Sequence, residues 1–355
     1  MSQDLNGKRL LLIKPSSLGD VCHAVASAWA LKARWPKLHI TWLVNASFEP
    51  LLRGIACVDA TVPFDRARFK GLLGAFRERT ALRAFVSSLR SGRFDIALDM
   101  QGLFRSGTFA RLSGAPVRIG FKKAREGARL FYTQRVETPP QPVHARVRYD
   151  ALTAALGCEK PAREDLDVSD GERQAAREML AQDGYEGRTL VAVCPGARWQ
   201  SKRYAPARFA AALDELANKR DAWHPVIVGS PDMAEPCAQT AQACKAARPI
   251  NLCGQTGLRE LAALLDISDL LLTCDSGPMH IAAAQGTPVV AVLGPTDPRR
   301  TGPWGQLENV VHGECELMPC LKRECPGLGD KCMRELPAAK LAEKAMAVLA
   351  RQKEK

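Results

Sequence analysis

LLLTCDSGPMHIAAAQGTPVVAVLGPTDP, residues 270–298, places a strand, a turn, a helix and a second strand in direct succession. The apolar run 270–274 is typical of a buried strand, which Asp275 ends before a turn at Ser276–Gly277. Small residues then open a helix, and the apolar run 288–293 predicts the next strand. Such a turn exposes free backbone N–H groups at the positive end of a helix dipole, and it therefore favours an anion such as phosphate.

A purely structural interpretation of this turn stays open at this point. An Asp at a helix start is commonly only a cap, and His280, one turn into the helix, is of a type that often serves a structural role. The stretch alone does not separate an anion site from a capped helix. The rest of the chain has to decide between them.

Length and composition bound the class of protein. A chain of 355 residues favours two domains, and 46% hydrophobic with 25% charged residues is typical of soluble globular proteins. No apolar run approaches the roughly 20 residues that span a bilayer. The N-terminal sequence MSQDLNGKRLLLIK lacks the layout of a signal peptide. We therefore expect a cytoplasmic protein.

Positive charge is concentrated in the first half of the chain. The formal net charge is +12. Residues 1–157 contain 25 Lys and Arg against 11 Asp and Glu, a balance of +14, whereas the remainder contains 25 against 27, a balance of −2. This imbalance favours an anionic partner for the first half, such as nucleic acid, anionic lipid or an acidic substrate. A solvated basic face without a specific partner is the alternative.

Strands and helices alternate in two series, which predicts an α/β protein with parallel sheets. The predicted strands are 9–14, 40–44, 61–64 and 96–99 in the first half, and 189–194, 225–229, 269–274 and 289–293 in the second. The main predicted helices are 21–34, 69–90, 103–112, 170–182, 207–219, 235–247, 258–265 and 337–351. The polar segment 158–170 reads as a linker between two doubly wound domains, which bind ligands at the carboxyl ends of their strands.

In the first half, the loops after strands contain polar groups suited to catalysis and to anion binding. In KPSSLGDVCH, residues 14–23, Asp20 is either a general base or a helix cap, and a helix N-terminus would hold its pKa low. DMQGLFRSG, residues 99–107, adds Gln101 and Arg105. The basic candidates for holding an anionic group are Arg66, Arg68, Lys70, Arg105, Arg118 and Arg125.

The loops of the second half suggest contacts with a phosphorylated ligand. In CPGARWQSKRYAP, residues 194–206, Lys202 or Arg203 could neutralise a leaving phosphate, and in GSPDMAE, residues 229–235, Asp232 or Glu235 could meet a ribose. The chain has neither a Walker-type glycine loop nor a G-x-G-x-x-G after its first strand, which weakens kinase and dehydrogenase interpretations. Four cysteines, Cys315, Cys320, Cys325 and Cys332, lack the usual C-x2-C pairs. A loop of reduced thiols is favoured there, with a structural metal as the alternative.

Taken together, these motifs resemble glycosyltransferase family 9, the ADP-heptose:lipopolysaccharide heptosyltransferases. KPSSLGDVCH, DMQGLFRS, PGARWQSKRY, DSGPMH and GPTDP follow the family order through nearly the whole chain. The first loop and the segment AREGARLFY, residues 124–132, look closest to heptosyltransferase I, which acts on a Kdo residue of the inner core.

The resemblance implies a GT-B fold, in which two Rossmann-like doubly wound domains face each other across a cleft. The first, 1–170, would bind the acceptor, and the second, 171–336, the nucleotide sugar. The final segment, 337–355, would form a helix that packs back on the first domain. The implied transfer inverts the anomeric centre and needs neither metal nor cofactor.

The resemblance also implies roles for residues at matching positions. Asp20 would deprotonate the acceptor hydroxyl, and Lys202 would stabilise the departing ADP. The donor-binding residues would be Asp275, for heptose hydroxyls, Ser276, Gly277 and His280, for the pyrophosphate, and Thr256 and Glu235. The acceptor-binding residues would be Arg66, Arg68, Lys70, Gln101, Arg105 and Arg125.

The resemblance implies partners as well. These are ADP-heptose, Kdo-lipid A or a related acidic glycolipid, and the anionic inner face of the cytoplasmic membrane, with no nucleic acid. A family-9 enzyme that uses another donor, or a heptose or protein acceptor, is the main alternative. A basic nucleic-acid-binding protein is disfavoured because the chain has no aromatic-rich basic platform.

Overall fold

The computed structural model describes residues 4–65, 68, 78–140, 143–219 and 223–352. The chain divides into two compact units, Met1–Asp167 and Val168–Lys355. The boundary between them lies inside the predicted linker, 158–170. Each unit is an α/β unit built on a parallel sheet, as the alternation of apolar runs and amphipathic segments predicts.

In the described part of unit 1, the sheet has six strands in the order β3-β2-β1-β4-β5-β6. The strands are β1 Arg9–Ile13, β2 His39–Asn45, β3 Ala60–Phe64, β4 Ile96–Asp99, β5 Val117–Phe121 and β6 Gln134–Val136. The helices are α1 Leu18–Arg34, α2 Glu49–Leu52, α3 Arg79–Ser91, α4 Phe104–Leu112 and α5 Ala145–Ala155, with a 3-10 turn at Ala128–Phe131. The central strands are apolar runs because helices cover both faces of the sheet.

In the described part of unit 2, the order is β12-β11-β10-β7-β8-β9. The strands are β7 Thr189–Cys194, β8 Trp223–Ile227, β9 Ile250–Asn251, β10 Leu270–Cys274, β11 Val289–Leu293 and β12 Val310–His312. The longer helices are α6 Asp170–Ala181, α7 Pro206–Lys219, α8 Ala234–Ala243, α9 Leu258–Asp266 and α10 Gly277–Gln285. Short helices α11 Pro298–Thr301 and α12 Lys331–Arg334 follow, then α13 Ala338–Gln352. Further 3-10 turns are Gln200–Lys202, Pro231–Met233 and Leu307–Asn309.

Both sheets follow the doubly wound strand order of the Rossmann fold. In unit 1 the order reverses between the neighbouring strands β1 and β4, and in unit 2 between β7 and β10. Ligands of such sheets bind at the carboxyl ends of the strands on either side of this switch point. The loops after β1, β4, β7 and β10 are therefore where each unit is built to bind a ligand.

The final helix, α13, packs within unit 2. Leu341, Ala345 and Val348 are buried and belong to the core beneath β10 and β11, and the helix also packs against α7. The apolar face of this helix therefore completes the core of the second unit, and its packing on the first domain remains a prediction. Within the described residues, no helix combines the length and apolar character needed to cross a bilayer.

Candidate functional site

In unit 1, the turn after β1 holds a carboxylate within a network of hydrogen bonds. Asp20 lies in the first turn of α1, where its Oδ2 accepts hydrogen bonds from the backbone N–H and the hydroxyl of Ser17, both at 2.9 Å. Its Oδ1 accepts a hydrogen bond of 2.6 Å from the hydroxyl of Tyr149 on α5. The ammonium of Lys14 lies 3.6 Å from Oδ2. Asp20 therefore caps a helix and also takes part in a charged cluster.

These contacts keep Asp20 ionised. Burial by itself raises its pKa, but Lys14, Tyr149 and Ser17 together outweigh burial and hold the pKa at about 2. Burial also lowers the pKa of Lys14, against the opposing effect of Asp20. The ammonium of Lys14 further lies 5.1 Å from the ring centroid of Tyr149. Asp20 is thus a carboxylate, and not a carboxylic acid, at neutral pH.

A cavity of about 160 Å³ opens at the same end of the unit 1 sheet. It is lined by Pro15, Ser16, Asn45, Phe64, Gln101, Leu103, Arg105, Ser106 and Glu126, which come from the ends of β1 to β4 and from nearby loops. Gln101 accepts a hydrogen bond of 3.3 Å from the backbone N–H of Ser16, which ties the loops after β4 and β1 together. Arg105 lies 5.9 Å from the ring centroid of Phe64. Gln101 and Arg105 therefore belong to one cavity.

The other predicted basic residues are distributed differently. Arg66 and Lys70 lie outside the described residues. Arg68 is exposed and forms an ion pair of 2.7 Å with Glu78. Arg125 is exposed, and its backbone N–H donates to the carbonyl of Gly102 in the loop after β4. Of these residues, Arg125 is thus the one that the structure ties to the loops around the cavity.

In unit 2, a buried ion pair lies at the switch point. Lys202, which ends the 3-10 turn after β7, places its ammonium 2.8 Å from Oδ2 of Asp275, which follows β10. The same oxygen accepts a hydrogen bond of 2.6 Å from the hydroxyl of Thr296 in the loop after β11. Three strand ends thereby meet at one carboxylate oxygen. The ammonium of Lys202 also lies 4.7 Å from the ring centroid of Trp199.

Helix α10 begins next to this ion pair. Ser276 is its N-cap residue, in extended backbone conformation, and its hydroxyl lies 3.1 Å from that of Thr273. Gly277 is the first helical residue, and His280 is half-buried in the first turn. The first N–H groups of a helix have no partner within the helix, so this end offers donors and a positive dipole to an anion.

Two predicted donor-binding residues lie elsewhere in the contact network of unit 2. Glu235 is exposed on α8 and accepts a hydrogen bond of 3.2 Å from Gln239. Thr256 is half-buried in the segment before α9. Among the hydrogen bonds described, none joins either residue to Lys202 or Asp275. Their donor-binding roles remain predictions.

The cysteine segment supports the loops of this site. Ser201 donates a hydrogen bond of 2.6 Å to the carbonyl of Lys322, and the N–H of Leu321 donates to the carbonyl of Pro295. Burial, together with the nearby thiols of Cys315, Cys320 and Cys325, raises the pKa of Cys332 to about 11. Across the ranges that the structure describes, no group of three or more His, Cys, Asp or Glu side chains is arranged to hold a metal ion. The interpretation of this segment as a loop of reduced thiols remains a prediction.

Sequence reasoning missed several residues that complete these clusters. Lys14 carried a signal, because a charged residue directly after an apolar strand is positioned for the binding edge of the sheet. Thr296 lies inside a quoted motif without an assigned role. Tyr149 gave no signal, because it lies 129 residues from Asp20 along the chain. Glu126 resembled an ordinary surface charge.

Comparisons with known proteins identify the family of this chain. The family described as glycosyltransferase family 9 (heptosyltransferase) matches residues 82–329. The lipopolysaccharide core heptosyltransferase OpsX of Haemophilus influenzae is 30% identical over 312 residues, which cover 86% of this chain and 84% of OpsX. Lipopolysaccharide heptosyltransferase 2 of Salmonella typhimurium is 27% identical, with coverages of 85% and 87%. Heptosyltransferase 1 of Pseudomonas aeruginosa is 25% identical, with coverages of 89% and 87%.

Solved structures share the fold. A family 9 glycosyltransferase from Veillonella parvula superposes with a TM-score of 0.83 at 22% identity, over 99% of both chains. The Escherichia coli heptosyltransferase WaaC, solved with ADP, gives a TM-score of 0.75 at 23% identity, over 96% of this chain and 99% of WaaC. This chain belongs to glycosyltransferase family 9, the heptosyltransferase family, and is a glycosyltransferase with the GT-B fold.

Proposed function

We propose that this protein transfers heptose from ADP-heptose to the Kdo residue of the lipopolysaccharide inner core, with inversion and without a metal ion. The observation that carries the proposal is the Lys202–Asp275 ion pair beside the N-terminus of α10. An ammonium and free N–H groups at one switch point are the groups that a departing diphosphate needs. The names of the relatives support heptose as the sugar and lipopolysaccharide as the acceptor.

Unit 2 would bind the donor. The N–H groups of Ser276 and Gly277, with His280, would hold the pyrophosphate, and the ammonium of Lys202 would neutralise charge as the bond to ADP breaks. This arrangement offsets the negative charge with the protein's own cation and dipole. WaaC, with the same fold, has been solved with ADP, which supports ADP as the nucleotide here.

Asp275 would act mainly through Lys202. Its Oδ2 already accepts from Lys202 and Thr296. The contact with a heptose hydroxyl that the family resemblance implies would therefore fall to Oδ1. Asp275 positions the cation and leaves the chemistry at the phosphate to Lys202.

Unit 1 would bind the acceptor and supply the base. Asp20 would take the proton of the acceptor hydroxyl as that oxygen attacks the anomeric carbon of heptose. The carbon–oxygen bond to ADP breaks on the opposite side, and ADP leaves with the bonding electron pair. Arg105, which lines the cavity, and Arg125 would hold anionic groups of the acceptor, because Arg pairs well with carboxylate and phosphate, and Gln101 would contact the acceptor in the cavity.

The acceptor is the point on which a second candidate has support. Relatives of both the type 1 and the type 2 enzymes match over most of the chain at similar identity, 25% and 27%. A heptose-terminated core is therefore the alternative acceptor. The resemblance of the first loop and of residues 124–132 to heptosyltransferase I favours Kdo.

The test is a transfer assay with purified protein. ADP-heptose would be offered with a Kdo-terminated and with a heptose-terminated core, with and without a chelator. NMR of the product would report the anomeric configuration. We expect faster transfer to the Kdo-terminated core than to the heptose-terminated core. The anomeric configuration should be inverted, and the chelator should not change the rate. Preferred transfer to the heptose-terminated core, or greater thermal stabilisation by UDP than by ADP, would overturn the assignment of acceptor or donor.

A further inference from the structure

We infer that unit 1 docks on an anionic lipid surface through a basic–apolar patch next to its cavity. The patch consists of Phe104, Lys122, Lys123, Arg129, Leu130, Phe131 and Arg135. The inference relies on the proposed function only for the statement that the acceptor is carried by a lipid.

The apolar part of the patch is unusually exposed. Leu130 is 76% exposed and Phe104 is 55% exposed, the two highest values for large apolar side chains among the described residues. The ring of Phe131, the residue next to Leu130 in the sequence, lies 5.4 Å from the ring of Phe104 in edge contact. Single exposed apolar residues are common, but neighbouring ones mark contact surfaces.

The exposure of Leu130 is fixed by the local structure. The 3-10 turn Ala128–Phe131 packs against α4, and Ala128 is fully buried. Directly after the turn, the hydroxyl of Tyr132 donates a hydrogen bond of 2.6 Å to buried Asp99. Leu130 lies between these two anchors in the sequence, and its side chain is exposed to solvent.

Basic residues are frequent in the same stretch of the chain. Residues 104–137 contain eight Lys and Arg against two Glu. The side chain of Arg135 donates a hydrogen bond of 3.1 Å to the backbone carbonyl of Arg129, which places the Arg135 guanidinium beside the 3-10 turn. Among the described residues, no ion pair joins Lys123, Arg129 or Arg135 to a carboxylate. Lys122 forms an ion pair with Glu137. Exposed Phe and Leu in the same stretch of chain as Lys123, Arg129 and Arg135 are suited to an anionic lipid interface.

The patch also adjoins the cavity. Glu126, which lines the cavity, accepts a hydrogen bond of 3.2 Å from the backbone N–H of Phe104. Arg105, also at the cavity, is the next residue of α4. A sugar carried on a lipid headgroup would therefore lie close to the cavity when the patch rests on the membrane.

The experiment is co-sedimentation of the full chain with vesicles of phosphatidylcholine, with and without phosphatidylglycerol. We expect binding to the anionic vesicles that falls steeply between about 0.05 and 0.5 M salt, because surface charges are screened. Phe104→Ser with Leu130→Ser should weaken the partition by about tenfold. The matched control is Leu317→Ser with Leu321→Ser in unit 2, where both side chains are 45% exposed.

A charge reversal provides the second arm. Lys123→Glu, Arg129→Glu and Arg135→Glu together should abolish binding. Arg177→Glu, Lys219→Glu and Lys340→Glu change the net charge equally on exposed residues of unit 2 and should leave binding within about twofold. Equal losses of vesicle binding in the unit 1 and unit 2 triple variants would overturn the proposal. So would a failure of the unaltered chain to bind anionic vesicles.

Activity separates this proposal from the proposed function. The patch variants should turn over an acceptor without lipid tails at the unaltered rate, and a vesicle-borne acceptor more slowly. Patch-dependent vesicle binding in a protein that transfers heptose to no acceptor would refute the proposed function and leave the patch standing. Normal heptose transfer by a protein whose vesicle binding does not depend on the patch would refute the docking proposal and leave the proposed function standing.

Discussion

Each unit places a Lys–Asp ion pair at its switch point, but the two pairs face solvent in opposite ways. In unit 1, the Lys14 side chain is 3% exposed and that of Asp20 is 29% exposed. In unit 2, the Lys202 side chain is 14% exposed and that of Asp275 is 5% exposed. The buried member therefore supports the more accessible one. The more accessible member is the anion in unit 1 and the cation in unit 2.

This reversal shows how one fold can carry two roles. An accessible carboxylate with a buried ammonium beneath it can accept a proton, whereas an accessible ammonium with a buried carboxylate beneath it can neutralise phosphate. The two sheets share a strand order and differ in which strand end carries each charge. In unit 1, Lys14 and Asp20 both follow β1. In unit 2, Lys202 follows β7 and Asp275 follows β10.

The largest effect is expected from removing the accessible anion. Asp20→Asn keeps the shape of the side chain but loses the proton acceptor, so kcat should fall about a thousandfold. Steady-state kinetics measure this loss, and thermal unfolding checks that the weakened helix cap leaves the fold intact. An Asp20→Asn variant that keeps a tenth of normal turnover would exclude Asp20 as the base.

Removing the accessible cation should cost somewhat less. Lys202→Ala leaves the diphosphate bound by the N-terminus of α10 but without its ammonium, so kcat should fall about a hundredfold. A heptosyl donor with a less basic leaving group needs less stabilisation and should restore part of the rate, whereas the same donor should not rescue Asp20→Asn. Rescue of both variants, or of neither, would contradict the proposal that Lys202 stabilises the leaving group and Asp20 acts as the base.

Tyr149 tests how unit 1 keeps its anion charged. Burial favours a neutral Asp20, and Tyr149 is one of the groups that counter it, so Tyr149→Phe should raise the pKa of Asp20 from about 2. A raised pKa means protonation at higher pH, so the decline of kcat/KM on the acid side should begin at a higher pH in the variant than in the unaltered enzyme. Near pH 7 the rate should change only about threefold. An equal loss at every pH would indicate a merely structural role.

The sequence allowed the central strands and the polar turns that follow them to be predicted for the same physical reason. Parallel strands covered on both faces are apolar runs, and the polar residue that ends each run lies at the binding edge of the sheet. The edge strands β6 and β9 were not predicted, because QRV and IN are short and partly exposed. Of the predicted helix 69–90, the structure describes Arg79–Ser91 only.

The ion-pair partners were harder to predict than the turns. Asp20 and Asp275 follow strands, so local sequence marks them. Tyr149 reaches Asp20 only because α5 packs against α1, which is a property of the assembled unit. Which member of each pair is buried also depends on packing, and no local pattern reports it.

The smallest effect on rate should come from the group beneath the unit 2 pair. Thr296→Val removes a hydrogen bond of 2.6 Å to buried Asp275, so the free energy of unfolding should fall by about 1–3 kcal/mol. The rate should fall only about threefold, because the Asp275 carboxylate still holds Lys202. Thr301→Val, whose hydrogen bond to the same oxygen is 3.4 Å long, is the matched control and should change both quantities less. In a Lys202→Ala background, Thr296→Val should lower stability without a further loss of rate. A further loss of similar size there would show that Asp275 contacts the substrate independently of Lys202, and the buried carboxylate would then be a ligand as well as a support.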